Sequence, residues 1–167
     1  AKKYNLKIIE DAAAGLGAKW RSKYVGTIGD VGTFSFQGAK VAIGATGGML
    51  VTNSKKIYTK SKILSQYGRT DSKMQYWSDY AGFNYSMPNL SAALVLAQLS
   101  RLKYLINYKR KIFKWYCKYL KKVKLIVLKK EYSGSLSTYC YPIAELNNKK
   151  KNHRNKLINY LNSFNID

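Results

Sequence analysis

Residues 32–53, GTFSFQGAKVAIGATGGMLVTN, decide how the rest of the chain is read. They read as strand, loop, lysine, glycine-bearing loop and strand. Thr33 to Phe36 alternates a β-branched or aromatic residue with a small one, and a parallel strand ending here would deliver its side chains to a site. Lys40 follows in a loop of small residues (Gly38, Ala39, Ala42, Gly44, Ala45), with no acid close in sequence to neutralise it. Gly47 and Gly48 free the backbone for a sharp turn before Met49 to Thr52 form the next strand. A lysine in such a setting is suited to attack a carbonyl, as Schiff-base lysines do. Taken alone, Lys40 also fits the plainer reading of an ordinary surface lysine.

Upstream, Lys7 to Glu10 (KIIE) reads as a short strand with a buried pair, Ile8 and Ile9. It leads to Asp11 and then AAAGLGA, small enough for a flat ligand to come close. An acid at the carboxyl end of one parallel strand and a lysine after another suit pyridoxal phosphate. The acid keeps the pyridine nitrogen protonated, and the lysine forms the covalent link. Ser35 and nearby backbone amides are the candidates to hold the phosphate.

These residues carry a resemblance. IIEDAA (8–13), VGTIGDVGTFSF (25–36), a lysine four residues on, GGMLVTN (47–53) and GFNYSMPNLSAALVLAQL (82–99) resemble the sugar aminotransferases of the DegT/DnrJ/EryC1/StrS family. The similarity is collinear across nearly the whole chain. Within the family, QYW (75–77) preceding GFNY is most similar to the perosamine-synthase branch.

The resemblance implies an α/β fold: part of a fold-type-I large domain, a mostly parallel sheet with helices, plus part of a small C-terminal α+β domain. The expected division is 1–105 for the C-terminal part of the cofactor-binding large domain and 106–167 for an incomplete small domain. It implies pyridoxal 5'-phosphate as cofactor, glutamate as amino donor and a nucleotide-linked keto-deoxy sugar as acceptor, in polysaccharide biosynthesis. Lys40 and Asp11 take the catalytic roles, with Ser35, Asn84 and Ala14 also placed at the cofactor. The family's matching asparagine reaches across a homodimer interface to the neighbouring subunit's cofactor phosphate, so a shared active site is expected. Three positions depart from the family pattern. Ala14 stands where a polar side chain is usual, Thr46 replaces the acid before the paired glycines, and Ser86 replaces an arginine. A catalytically decayed relative acting as a non-enzymatic partner is the alternative.

The composition fits one ordinary domain in 167 residues. Ala1 is not an initiator methionine and LINYLNSFNID (157–167) stops just after a helix, so an internal piece of a longer protein is expected. Cys117 and Cys140 give neither a disulfide framework nor metal spacing, which fits a reducing cytoplasm. The longest apolar run, LSAALVLAQL, is short of the ~20 residues that span a membrane. The net charge of +22 raises a basic nucleic-acid-binding module as a further alternative. The lysines are scattered, and no helix-turn-helix, zinc or RNP signature accompanies them, so neither nucleic acid nor membrane is expected as partner.

Along the chain, the glycines of VGTIGDVG read as tight turns, because a strand rather than a helix follows them. Ser54 reads as the N-cap of a helix over 55–66. Arg69 to Tyr80 reads as an aromatic loop. Pro88 to Tyr104 reads as a helix with Leu90, Ala93, Leu94 and Ala97 as its packed stripe. A second helix is expected from about Asn107 to Lys121, burying Phe113, Tyr116, Cys117 and Leu120. Strands are expected at 125–128 and 138–143, then a helix over 152–164 packing through Leu157, Ile158 and Leu161. His153, the lone histidine, carries no catalytic expectation.

Overall fold

The computed structural model describes residues 1–70, 74–147 and 152–166. After a helical turn at Lys2–Tyr4 come β1 (Ile9–Asp11), β2 (Lys19–Trp20), β3 (Lys23–Tyr24), β4 (Val31–Ser35) and β5 (Gly48–Val51). Helices α1 (Lys55–Ser65), α2 (Asn89–Ser100) and α3 (Leu102–Tyr119) follow, then β6 (Ile126–Leu128), β7 (Ser135–Leu136), β8 (Ala144–Leu146) and α4 (His153–Asn162).

The central sheet has the order β1-β4-β5. β1 and β4 run parallel, pairing Ile9 with Val31, Glu10 with Gly32 and Asp11 with Thr33. β5 returns antiparallel on the other side of β4. Gly32 sits so close to the carbonyl of Gly26 that a Cβ there would collide with backbone, which is why this strand position is a glycine. That contact exists because Glu10 gathers the turn before β4. Its carboxylate accepts from the backbone N–H groups of Gly26 (2.8 Å), Ile28 (2.6 Å) and Gly29 (2.5 Å). The glycines between Val25 and Gly32 are therefore turns, as their spacing implies.

Ile8 and Ile9 correct the sequence expectation: they are 45% and 70% exposed. β1 has a partner on one side only among the described strands, so its apolar side chains find no second layer.

The core lies under the lysine loop. Phe36, Ala42 and Val95 are almost wholly buried together, with Leu16, Met87 and Leu99 packed against them. Val95 places α2 in this core, and its Cγ2 presses on Gly44 where a larger residue would have no room. The buried residues of α2 are Ser91 and Val95, not the stripe of Leu90, Ala93, Leu94 and Ala97, which faces outward. The run LSAALVLAQL is apolar nearly all round, so periodicity does not choose its buried face.

Boundaries differ elsewhere. The expected helix over 88–104 breaks at Arg101 (φ −113°, ψ 20°), and α3 starts at Leu102 rather than near Asn107. α3 buries Phe113, while Tyr116 is exposed. Ser54 caps α1, its side chain accepting from Ile57 N–H at 3.4 Å. Residues 138–143 do not form the expected strand; β7 and β8 flank them instead. Pro142 cannot donate to a ladder, which interrupts the aromatic and β-branched run. On α4, Leu157 and Leu161 are half-buried, whereas Ile158 is exposed.

β6 and β8 pair antiparallel, bridged by Lys129 and Glu145 at 2.5 Å. β7 joins the β2–β3 hairpin, Lys19 opposite Leu136 and Trp20 opposite Ser135. Strand pairing thus connects the chain after residue 106 to the chain before it.

Candidate active site

Because β1 and β4 are parallel neighbours, the loops that follow them leave by the same edge of the sheet, where open α/β sheets hold their ligands. Asp11 ends β1. Its exposed carboxylate accepts from Ala13 N–H at 3.1 Å, an Asx turn that sets the start of the following loop. Ala12 N–H donates to Thr33 O at 2.9 Å, tying that loop to β4. Ala14 is exposed on it. Ser35 ends β4, and its hydroxyl accepts from Gln37 N–H at 3.4 Å.

Lys40 stands at the tip of a loop closed at its base by Phe36. The Phe36 N–H donates to Gly47 O (3.0 Å) and its carbonyl accepts from Gly44 N–H (2.8 Å). Within the loop Lys40 N–H donates to Gln37 O (3.0 Å), and the Gln37 side chain accepts from Ala39 N–H (3.1 Å). Phe36 and Ala42, both in the core, anchor the two sides. The loop is therefore a rigid mount for a half-buried lysine.

β1 and β4 thus send Asp11 and Ser35, and the loops that carry Ala14 and Lys40, to the same end of the sheet. Asn84 is held elsewhere, in the segment after α1, where it bridges Gln66; it is exposed and shares no hydrogen bond with the other four among the described residues. A cleft of about 700 Å³ beside that segment is lined by Met49, Leu50, Tyr58, Phe83 and Tyr85, and neither Asp11 nor Lys40 reaches it.

Sequence reasoning missed the segment 137–141. Thr138, 2% exposed, lies near Gly17 in the loop after Asp11, its Cγ2 3.8 Å from where a Cβ there would stand, with Ile106 of α3 nearer still. Cys140 Sγ lies 3.7 Å from Ala39 O, beside Lys40, and the Tyr141 ring centroid is 5.2 Å from Lys40 Nζ. Burial pushes the Cys140 thiol up, with Lys109 and Lys40 opposing. The contacts span about a hundred residues of sequence, so no local motif signals them. Glu10 was also missed. Partial burial alone would raise its pKa, but the N–H groups of Gly29, Gly26 and Ile28 outweigh it and hold the carboxyl below its ordinary value.

The model of the DegT/DnrJ/EryC1/StrS aminotransferase family matches residues 1–167. The chain belongs to this family. Among curated relatives, it is 42% identical to GDP-perosamine synthase of Escherichia coli O157:H7 over 83% of this chain and 37% of that protein. It is 37% identical to GDP-perosamine synthase of Vibrio cholerae over 98% of this chain and 44% of that protein. Among solved structures, Helicobacter pylori PseC, an aminotransferase involved in the biosynthesis of pseudoaminic acid, superposes with a TM-score of 0.88 at 21% identity. That match covers 97% of this chain and 44% of PseC, and it shows the fold. The chain spans less than half the length of each of these relatives.

Pyridoxal phosphate is the cofactor of this DegT/DnrJ/EryC1/StrS family, and the residues present fit it. Asp11, with one carboxylate oxygen accepting from Ala13 N–H, and Lys40, with no salt bridge among the described residues, lie in or beside loops of small residues that follow two parallel neighbouring strands. The described residues hold no cluster of His, Cys, Asp and Glu that could bind a metal instead. They also hold no helix long and apolar enough to cross a membrane.

Proposed function

We propose that the full-length protein carrying this chain is a pyridoxal-phosphate-dependent aminotransferase that moves an amino group from glutamate to a nucleotide-linked keto-deoxy sugar. The observation that carries this reading is the departure of Asp11 and Lys40 from adjacent parallel strands at one sheet edge. The cofactor, when bound, supplies an electron sink for the carbon being aminated. Lys40 Nζ would carry the covalent link and, once displaced, take and return the proton that moves between donor or acceptor carbon and cofactor. Asp11 would hold a proton on the ring nitrogen, its position set by the Asx turn. The Ser35 hydroxyl and the amides beside it would bind the phosphate, with Ala14 against the ring.

Asn84, held apart from the other four, suits a role at the active site of a second subunit, in a homodimer. A GDP-linked 4-keto-6-deoxy sugar is the acceptor that the names of the two most similar relatives quoted above favour. We take 1–105 as the C-terminal part of the cofactor-binding domain and 106–167 as part of the small domain, in a cytoplasmic enzyme. The decayed-partner reading draws on Ala14, Thr46 and Ser86; the exposed Ser86 Oγ donates to Ser65 O at 3.4 Å.

The test is amine transfer itself. Full-length protein incubated with pyridoxal phosphate, glutamate and a GDP-linked 4-keto-6-deoxy sugar should yield an amino sugar by mass spectrometry, and Asp11→Ala should lower the rate by at least a hundredfold. Cofactor binding with no transfer to any nucleotide-linked keto sugar would favour the decayed partner.

A further inference from the structure

The segment 137–141 lies across both loops of the candidate site. Thr138 lies near Gly17 in the loop after Asp11, Cys140 meets Ala39, and the Tyr141 ring faces the Lys40 ammonium. It is fixed from behind by α3. The Phe113 ring stacks on Tyr139 with centroids 3.7 Å apart and planes 9° from parallel. Arg110 makes a two-pronged pair with Glu131 (both N–O distances 2.9 Å) and also donates to Ser137 O. Glu131 in turn accepts from Ser137 N–H at 2.7 Å, and Glu131 N–H donates to the Tyr139 hydroxyl oxygen at 3.1 Å. A bidentate guanidinium–carboxylate pair is directional, so it fixes the height of the segment as well as holding it.

We propose that Tyr141 is a positioning residue for Lys40, its ring face restricting and shielding the amine, with the Arg110–Glu131 pair holding that ring in place. This rests on the reading of Lys40 as the cofactor-linked amine. A lysine has four rotatable side-chain bonds, and an amine that must return to one reactive position gains from a wall that narrows its choices. An aromatic face attracts the ammonium without adding an acid that would pair it permanently. Tyr141 itself remains 45% exposed, so its ring leaves room for a ligand to approach.

The experiment uses full-length protein freed of cofactor, so its outcome is separate from that of the transaminase reading. Lysines are reductively methylated with formaldehyde and cyanoborohydride, and peptide mass spectrometry gives the labelling rate of Lys40 relative to the exposed Lys56 and Lys121. Tyr141→Phe keeps the ring and should leave the Lys40 rate unchanged. Tyr141→Leu should raise it by about two- to fivefold, the range set by the energy of an exposed cation–π contact. A wild-type rate in Tyr141→Leu, or an equal rise in Tyr141→Phe, overturns the proposal. If Tyr141→Leu labels Lys56 and Lys121 faster as well, its fold has loosened and Tyr141→Trp decides. The indole binds a cation more strongly, so a slower Lys40 rate there supports the proposal and an unchanged or faster one overturns it.

Discussion

Glu10 shows how one side chain prepares a site it does not enter. Its carboxylate collects the N–H groups of Gly26, Ile28 and Gly29, draws the turn onto Gly32, and so sets β1 against β4 in the register that puts Asp11 opposite Thr33. Its folded pKa is held below the unfolded one. The stability it contributes is therefore complete above the unfolded carboxyl range, about 4.3, and is lost as pH falls through the folded value. Glu10→Gln keeps one acceptor oxygen but no charge, and should cost about 1 kcal/mol at neutral pH. Urea unfolding of the two full-length proteins should show that gap closing below about pH 4. A gap that stays constant with pH would mean the ionised carboxylate is not what holds the turn. The reading of Asp11 and Lys40 as site residues comes from their local settings, Asp11 after a short apolar run and Lys40 in a loop of small residues. Glu10 is not legible in this way, since an acid inside a strand pattern looks like a solvent-facing position.

At the scale of elements, what was legible follows from how far each pattern constrains a face. β4 alternates and is closed by glycines, and its boundaries fall within a residue or two of those read from the sequence. Ser54 announces α1 through its own cap. α2 has no polar side to break the tie, and only the three-dimensional approach of Gly44 selects Val95 over Leu94. The 138–143 run reads as a strand by composition, yet its role is to bridge two loops far away in the chain. The α2 contact can be tested by pairing its partners. Gly44→Ala places a methyl against Val95 Cγ2 and should destabilise the full-length protein by about 1–3 kcal/mol. Val95→Ala alone should cost about 2 kcal/mol from lost burial and the cavity left behind. In the Val95→Ala background the worst clash is gone and Ser91 O at 3.1 Å is the next contact, so the double variant should be less destabilised than the sum, which a denaturant double-mutant cycle reads directly. Strict additivity would place α2 elsewhere.

At the scale of the whole molecule, the excess of positive charge raises nucleic acid as a partner, while the family match over residues 1–167 favours a cofactor enzyme. The basic side chains are spread over the helices and loops. Asp11 ends β1, Lys40 follows its parallel neighbour β4, and the 137–141 segment lies beside the Lys40 loop. The similarity to two GDP-perosamine synthases covers most of this chain and less than half of each relative. The most direct measurement is to add pyridoxal phosphate to the full-length protein, reduce with borohydride, and locate the modified residue by peptide mass spectrometry. A single phosphopyridoxyl group on Lys40, absent in Lys40→Ala, is the predicted result. Modification spread over many surface lysines, with Lys40 no more labelled than its neighbours, would contradict the account.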